Sequence, residues 1–236
     1  MAEHSSSVLL CSIANPQTSF SAQPVHLYLV PLDQPAPIAE ANLSDIEQNR
    51  AARFKREISR TQFVTTRLAV RYLLGQYLHT PPREVQFHYL ESGKPYLPGA
   101  PLHFNVSHSG AWAVVAISRY QVGVDIEQIR PFPEASTTVE RFFGTVDAAR
   151  YRTIAEPDQQ NAFFEAWTRK EAVLKALGRG IMSLEHCSVS FGPGTTPQVL
   201  GIDGEEIPCD LWRLFAWQPH PEYQGAVAWI ENPAQR

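Results

Sequence analysis

Asp125, Glu127 and Glu171, together with Lys175, are the side chains whose types and spacing could do chemistry in this chain. In Val122-Gly123-Val124-Asp125-Ile126-Glu127, apolar residues alternate with Gly, Asp and Glu. A strand points every second side chain to one face, so the pattern predicts a strand with both acids together, opposite the apolar set. Two carboxylates that close repel each other unless a cation lies between them. Trp167, Glu171 and Lys175 fall at four-residue spacing, which predicts one stripe along a helix. If that helix faces the strand, Glu171 becomes a third acid and Lys175 stands one turn away. Hard oxygen donors favour magnesium over zinc or copper. The set suits magnesium-dependent phosphoryl chemistry.

Each piece alone also has an ordinary structural reading. Asp125 and Glu127 could be a solvated strand face. Glu171 and Lys175 could be a surface ion pair, and Trp167 a core anchor. Other chemistries find less support. His103 and His108 are five apart, on opposite faces of a strand, and make poor joint metal ligands. Ser107-His108-Ser109-Gly110 lacks the Gly-x-Ser-x-Gly spacing of a hydrolase nucleophile elbow, and no Gly-rich phosphate loop is present.

The elements that must position these groups can be read along the chain. The Ser-rich first residues, ending at Asn15-Pro16, read as a loose arm. Val25 to Val30 alternates as a strand, and Ser44 with Glu47 forms a capping-box signature. A basic helical region follows, continued by Phe63 to Leu78 and stopped at Thr80-Pro81-Pro82. Val85 to Tyr89 reads as a strand and Ser92-Gly93-Lys94-Pro95 as a turn. Leu102 to Ser107 and Ala111 to Ile117 read as strands around a bend at His108-Ser109-Gly110. The second is apolar on both faces and so belongs in the centre of a sheet. The segments 67–75 and 170–178 align without gaps, sharing Ala, Val, Leu and Gly, and each precedes an alternating stretch, 85–89 and 187–191. The repeat predicts two similar α+β lobes.

Over the whole chain, 44% hydrophobic and 19% charged residues describe an ordinary globular protein, and a net charge of −4 gives no reason to expect nucleic acid. Charge is uneven, however. Arg50, Arg53, Lys55, Arg56, Arg60, Arg67 and Arg71 stand against the single acid Glu57, which suggests an anionic ligand. Cys11, Cys187 and Cys209 are scattered and odd in number, which argues against a disulfide framework or a zinc site. The apolar run 8–13 is too short and wrongly flanked for a secretory signal, and no stretch has the length of a membrane span. The expectation is a cytoplasmic protein with no membrane partner.

In combination the motifs are specific. Gly93-Lys94-Pro95, then Phe104-Asn105-Val106-Ser107-His108-Ser109-Gly110, Gly123-Val124-Asp125-Ile126-Glu127 and Trp167-Thr168-Arg169-Lys170-Glu171-Ala172 with Lys175 resemble the 4'-phosphopantetheinyl transferase superfamily. The resemblance is closest to its two-lobed, surfactin-synthetase-type branch and runs from about Arg50 to Gly180. It implies an α+β fold of two lobes related by a pseudo-two-fold, each a helix packed on a small, mainly antiparallel sheet. Residues 1–120 would form the coenzyme A 3'-phosphate and nucleotide side, and residues 121–236 the magnesium and catalytic side.

The implied reaction moves the phosphopantetheine arm of coenzyme A to a serine of an apo acyl or peptidyl carrier protein, releasing adenosine 3',5'-bisphosphate. By the same resemblance Asp125, Glu127 and Glu171 would hold Mg2+. Glu171 would act as base with Glu127 as its rival, and Lys175 would serve the departing phosphate. Arg50, Lys94 and His108 match phosphate-binding positions, Asn105 and Ser107 would flank the nucleotide, and Arg67 is either a ligand residue or structural. Glu47 stands where some relatives place a lysine, which puts coenzyme A affinity in question. The repeat suggests that one chain builds the whole cleft, as a monomer. Two other classes stay open at this point: a binding module without transfer, and a magnesium-dependent nucleotide hydrolase.

Overall fold

The computed structural model describes residues 8–11, 19–20 and 23–231. Strand β1 (Val8–Cys11) lies parallel to β2 (Val25–Pro31). Part of the expected loose arm is therefore a sheet edge; its remainder lies outside the described residues. Helices α1 (Asp45–Ala51) and α2 (Glu57–Leu78) follow. The capping box at Ser44 is present: the Glu47 N–H donates to Ser44 Oγ and the Ser44 N–H to Glu47 Oε2. The short strands β3 (His88–Tyr89) and β4 (Pro95–Tyr96) form a hairpin, and β5 (His103–Ser109) and β6 (Trp112–Ser118) complete a sheet of order β1-β2-β6-β5.

The same sequence of elements then recurs. Strand β7 (Val122–Gln128) is followed by α3 (Ala135–Phe142), α4 (Thr145–Arg152) and α5 (Glu156–Leu177). A hairpin of β8 (Cys187–Val189) and β9 (Val199–Ile202) leads to β10 (Trp212–Trp217) and β11 (Tyr223–Ile230). The second sheet has order β10-β11-β7, all antiparallel. In each lobe, then, the last strand lies between the other two: β2-β6-β5 matches β7-β11-β10. Both long helices have 22 residues and end on a left-handed residue, His79 in one and Gly178 in the other. The architecture is the α+β, two-lobed one that the repeat predicts.

Alternation along the strands makes four layers. Val25, Leu27, Val114 and Ala116 of the first sheet meet Val122, Val124, Ile126, Val227 and Trp229 of the second in one buried cluster. Their outward-facing neighbours, Tyr28, Val30, Val115 and Ile117, pack under Ala69, Val70, Leu73 and Leu74 of α2. Ala226 and Ala228 pack under α5 in the same way. Away from the polar residues of β5 and β7, each sheet is thus apolar on both faces, as a sheet between another sheet and a helix must be.

Two expected strands differ in extent: one is shorter than its alternation and one runs further. Val85 precedes β3 because its carbonyl accepts from the Arg71 guanidinium instead of a strand partner. His108 and Ser109 belong to β5, not to the bend; only Gly110 (φ 57) and Ala111 turn the chain.

Candidate active site

Strand β7 and helix α5 touch closely because Gly123 has no side chain. A Cβ there would run into the Ala172 carbonyl and the Ala176 amide of the helix. The face that carries Gly123, Asp125 and Glu127 therefore lies under α5, while Val122, Val124 and Ile126 face the other sheet. This approach sets Glu171 and Lys175 over Asp125. Lys175 Nζ donates to Asp125 Oδ1 at 2.6 Å and to Ser107 Oγ at 3.1 Å, and lies 4.0 Å from Glu171 Oε2. Ser107 Oγ also donates to Asp125 Oδ1, at 2.7 Å. Asp125, Glu127, Glu171 and Lys175 line one cavity of about 380 Å³, with Trp167 and His108 at its walls.

The first lobe completes the site through β5, whose polar face lies along the open edge of β7. Asn105 Oδ1 accepts the Val124 N–H, and Ser109 Oγ accepts the Gln128 N–H while donating to Glu127 Oε2 at 2.8 Å. Asn105 and Ser109 thus cap two N–H groups of an otherwise open strand edge. Ser109 touches the acid cluster directly, a contact that the sequence reading missed. Its hydroxyl acts through a neighbour in space, and no spacing along the chain encodes that contact.

Electrostatics follow from this enclosure. Burial, with the Asp125 and Glu127 charges, outweighs Lys175 and pushes Glu171 up to about 7. Burial and Asp125 also raise Glu127, against the Ser109 hydrogen bond and the charges of Lys175 and Arg130. For Lys175 burial disfavours the ammonium, yet the combined pull of Asp125, Glu171 and Glu127 leaves its pKa above the ordinary lysine value. His108 is lowered by burial and by Lys175.

The donor set fits a divalent cation. Asp125 is 2% exposed, its Oδ2 is buried without a hydrogen-bond partner, and two neighbouring acids are held against their own ionisation. Lys175 supplies positive charge among them. Among the described residues no three acidic, His or Cys side chains are already gathered at metal-ligand spacing.

A second cavity, of about 500 Å³, adjoins through His108, which lines both. Arg50, Phe54, Phe63, Arg67 and Asn105 are among its walls, with the Arg50 guanidinium 5.0 Å from the Phe63 ring centroid. Few of the seven basic residues are available to a ligand there. Arg60 pairs with Glu40 and Glu57, and Arg71 is 3% exposed with Nε 2.6 Å from Glu47 Oε2. Arg67 Nε lies 3.3 Å from Glu47 Oε1. Glu47 is thus the shared counter-ion of two arginines.

Lys94 does not join Arg50 in that cavity: its ammonium donates to the carbonyls of Ala176 at 2.8 Å and Val122 at 3.1 Å. Asn105 and Ser107 likewise spend an oxygen on β7, although Asn105 lines the large cavity and Ser107 the acidic one.

A duplicated α+β chain with three acids and a lysine beside a basic cavity at the lobe junction suits an enzyme acting on a phosphate-bearing substrate. The comparisons with known proteins agree. Residues 121–228 match the family model described as the 4'-phosphopantetheinyl transferase superfamily, and residues 31–120 match that of the 4'-phosphopantetheinyl transferase N-terminal region. The 4'-phosphopantetheinyl transferase HetI of Nostoc sp. is 35% identical over 221 residues, covering 90% of each chain. A putative 4'-phosphopantetheinyl transferase of Synechocystis sp. is 35% identical over 218 residues, 87% of each chain. The 4'-phosphopantetheinyl transferase Sfp of Bacillus subtilis is 29% identical over 160 residues, 67% of this chain and 69% of Sfp. The chain belongs to the 4'-phosphopantetheinyl transferase superfamily. It is a transferase that moves the phosphopantetheine arm of coenzyme A to a carrier protein. No helix among the described residues is long and apolar enough to cross a membrane.

Proposed function

We propose that Asp125, Glu127 and Glu171 hold Mg2+ against the pyrophosphate of coenzyme A, and that Glu171 takes the proton of the carrier serine. Bound there, the ion would neutralise pyrophosphate oxygens and stabilise charge on the leaving phosphate. The serine Oγ bonds to the phosphorus that bears the pantetheine arm. The bond from that phosphorus to the bridging oxygen breaks, and its electron pair leaves with adenosine 3',5'-bisphosphate. The serine proton passes to Glu171, directly or through a water, from its place beside Asp125 and Glu127 in the acidic cavity. Glu127 is the weaker choice, because Ser109 already donates to one of its oxygens. Lys175 places its ammonium against the departing phosphate.

The single observation behind this reading is the shared cavity: three acids from two elements, with one lysine, beside a larger basic cavity. Labour divides along the duplication. Residues 1–120 supply the nucleotide side, where Arg50 and His108 meet the 3'-phosphate, and residues 121–236 supply the acids. Ser107 and His108 reach across from the first lobe. The partner is an apo acyl or peptidyl carrier protein. We read the protein as a cytoplasmic monomer without a nucleic-acid partner: Cys187 and Cys209 form no disulfide, one chain lines both cavities, and the net charge is −4.

The test is Glu171→Gln, with apo carrier, coenzyme A and magnesium followed by mass spectrometry. Carrier modification falls by about 10²- to 10⁴-fold if Glu171 is the base. An undiminished rate refutes that role. Bisphosphate release by the unaltered protein without a carrier would favour a hydrolase.

A further inference from the structure

Lys94 sits in the turn between β3 and β4, where Gly93 (φ 83) allows the hairpin to close. Its ammonium leaves that hairpin and crosses to the second lobe. There it donates to the first carbonyl of β7, at Val122, and to the Ala176 carbonyl in the last turn of α5. Gln121 Nε2 donates to the same Ala176 carbonyl at 2.9 Å. The last carbonyls of a helix lack intrahelical donors and form its negative end, so a cation is well placed there. Leu174 and Lys175 have their carbonyls covered by the backbone N–H groups of Gly178 and Arg179. Ala176 is covered from Lys94 and Gln121 instead.

The contact is built, not incidental. Gly178 takes the left-handed cap position, and a Cβ there would come within 3.1 Å of Leu90 and 3.5 Å of Ser92. The helix end is thus seated against the 90–94 turn. Lys94 and Lys175 line a common cavity of about 190 Å³, and the next residue, Pro95, lines the larger basic cavity. Burial alone pushes Lys94 down to about 8, and among the described residues it makes no salt bridge to a carboxylate.

We propose that Lys94 is a positioning residue: its bonds to Ala176 and Val122 fix the last turn of α5 so that Lys175 meets the reacting phosphate. Lys94 thereby acts through Lys175 and not as a phosphate ligand. The inference rests on the role given to Lys175 above.

The test compares Lys94→Met, Lys175→Met and the double variant, with coenzyme A and dephospho-coenzyme A as substrates. In Lys94→Met we expect kcat to fall about 10- to 100-fold, the cost of a misplaced catalytic group. KM for coenzyme A and the preference for the 3'-phosphate stay unchanged. Lys94→Arg recovers part of the rate, and the double variant loses no more than Lys175→Met alone. A raised KM with loss of the 3'-phosphate preference, or losses that multiply in the double variant, would overturn the inference. Lys175→Met with full kcat would overturn the reading of Lys175 itself, whatever Lys94→Met does. If Lys94→Met does not fold, Gln121→Leu removes the second donor to Ala176 and is judged by the same loss of kcat at constant KM.

Discussion

Asp125 is the residue on which the others converge: Lys175 and Ser107 hold one of its oxygens, and its other oxygen is buried and free of hydrogen bonds. These roles were legible to different degrees in the sequence. Alternation put Asp125 beside Glu127, and four-residue spacing put Glu171 beside Lys175, because both periods act through the local backbone. Lys94 read as a phosphate ligand, and its main-chain partners here, the carbonyls of Val122 and Ala176, leave no mark in a sequence. Arg67 read as either ligand or structural, and its Nε is turned to Glu47. On the proposed reading, Arg50 and His108, which line the same cavity, carry most of the phosphate clamp. Arg50→Ala or His108→Ala should weaken coenzyme A binding by about tenfold or more, with little effect on dephospho-coenzyme A. Titration calorimetry with both ligands checks this; equal losses for the two would contradict it.

At the scale of elements, β7 and α5 make the site by pressing together at Gly123. Gly123→Ala places a methyl against helix backbone that no side-chain rotation relieves. It should cost about 3 kcal/mol, at the upper end for overpacking, and lower kcat by displacing Glu171 and Lys175. Denaturant unfolding beside a rate assay would show both; a variant of full stability would mean that α5 can shift freely.

The repeat was legible, but its register was not. Arg71, not Arg67, is the counterpart of Lys170, one helical turn away from the sequence alignment. Arg71 pairs with Glu47 of α1 and donates to the Val85 carbonyl, while Lys170 pairs with Asp147 of α4 at 2.6 Å and donates to the Leu184 carbonyl. Shared Ala, Val and Leu fit a helix equally well when slid by a turn, so only these buried ion pairs identify the true match. Lys170→Met leaves Asp147 buried without its cation and should cost about 3–5 kcal/mol, with Lys170→Met/Asp147→Leu restoring much of it. Thermal unfolding of both variants decides, and a double variant no more stable than the single would contradict the pairing.

For the whole molecule, the two lobes concentrate negative charge where their sheets and α5 meet, and this ties stability to pH. Glu171 titrates at about 7 in the folded chain, above the ordinary glutamate value near 4.5. The unfolded chain releases that proton first. Its stabilising contribution is therefore complete below about 4.5 and is lost as pH rises through 7, by at most about 3 kcal/mol. Magnesium should offset this loss, so the rise in Tm on adding it should grow from pH 5 to pH 8. A magnesium effect independent of pH would contradict the assignment.

Binding of Mn2+ in place of magnesium, followed by electron paramagnetic resonance with coenzyme A present, tests the acid centre most directly. The unaltered chain should bind one ion, and Asp125→Asn, correctly folded, should lose it together with carrier modification. Undiminished Mn2+ binding in Asp125→Asn would show that Asp125 and its neighbours do not share a cation.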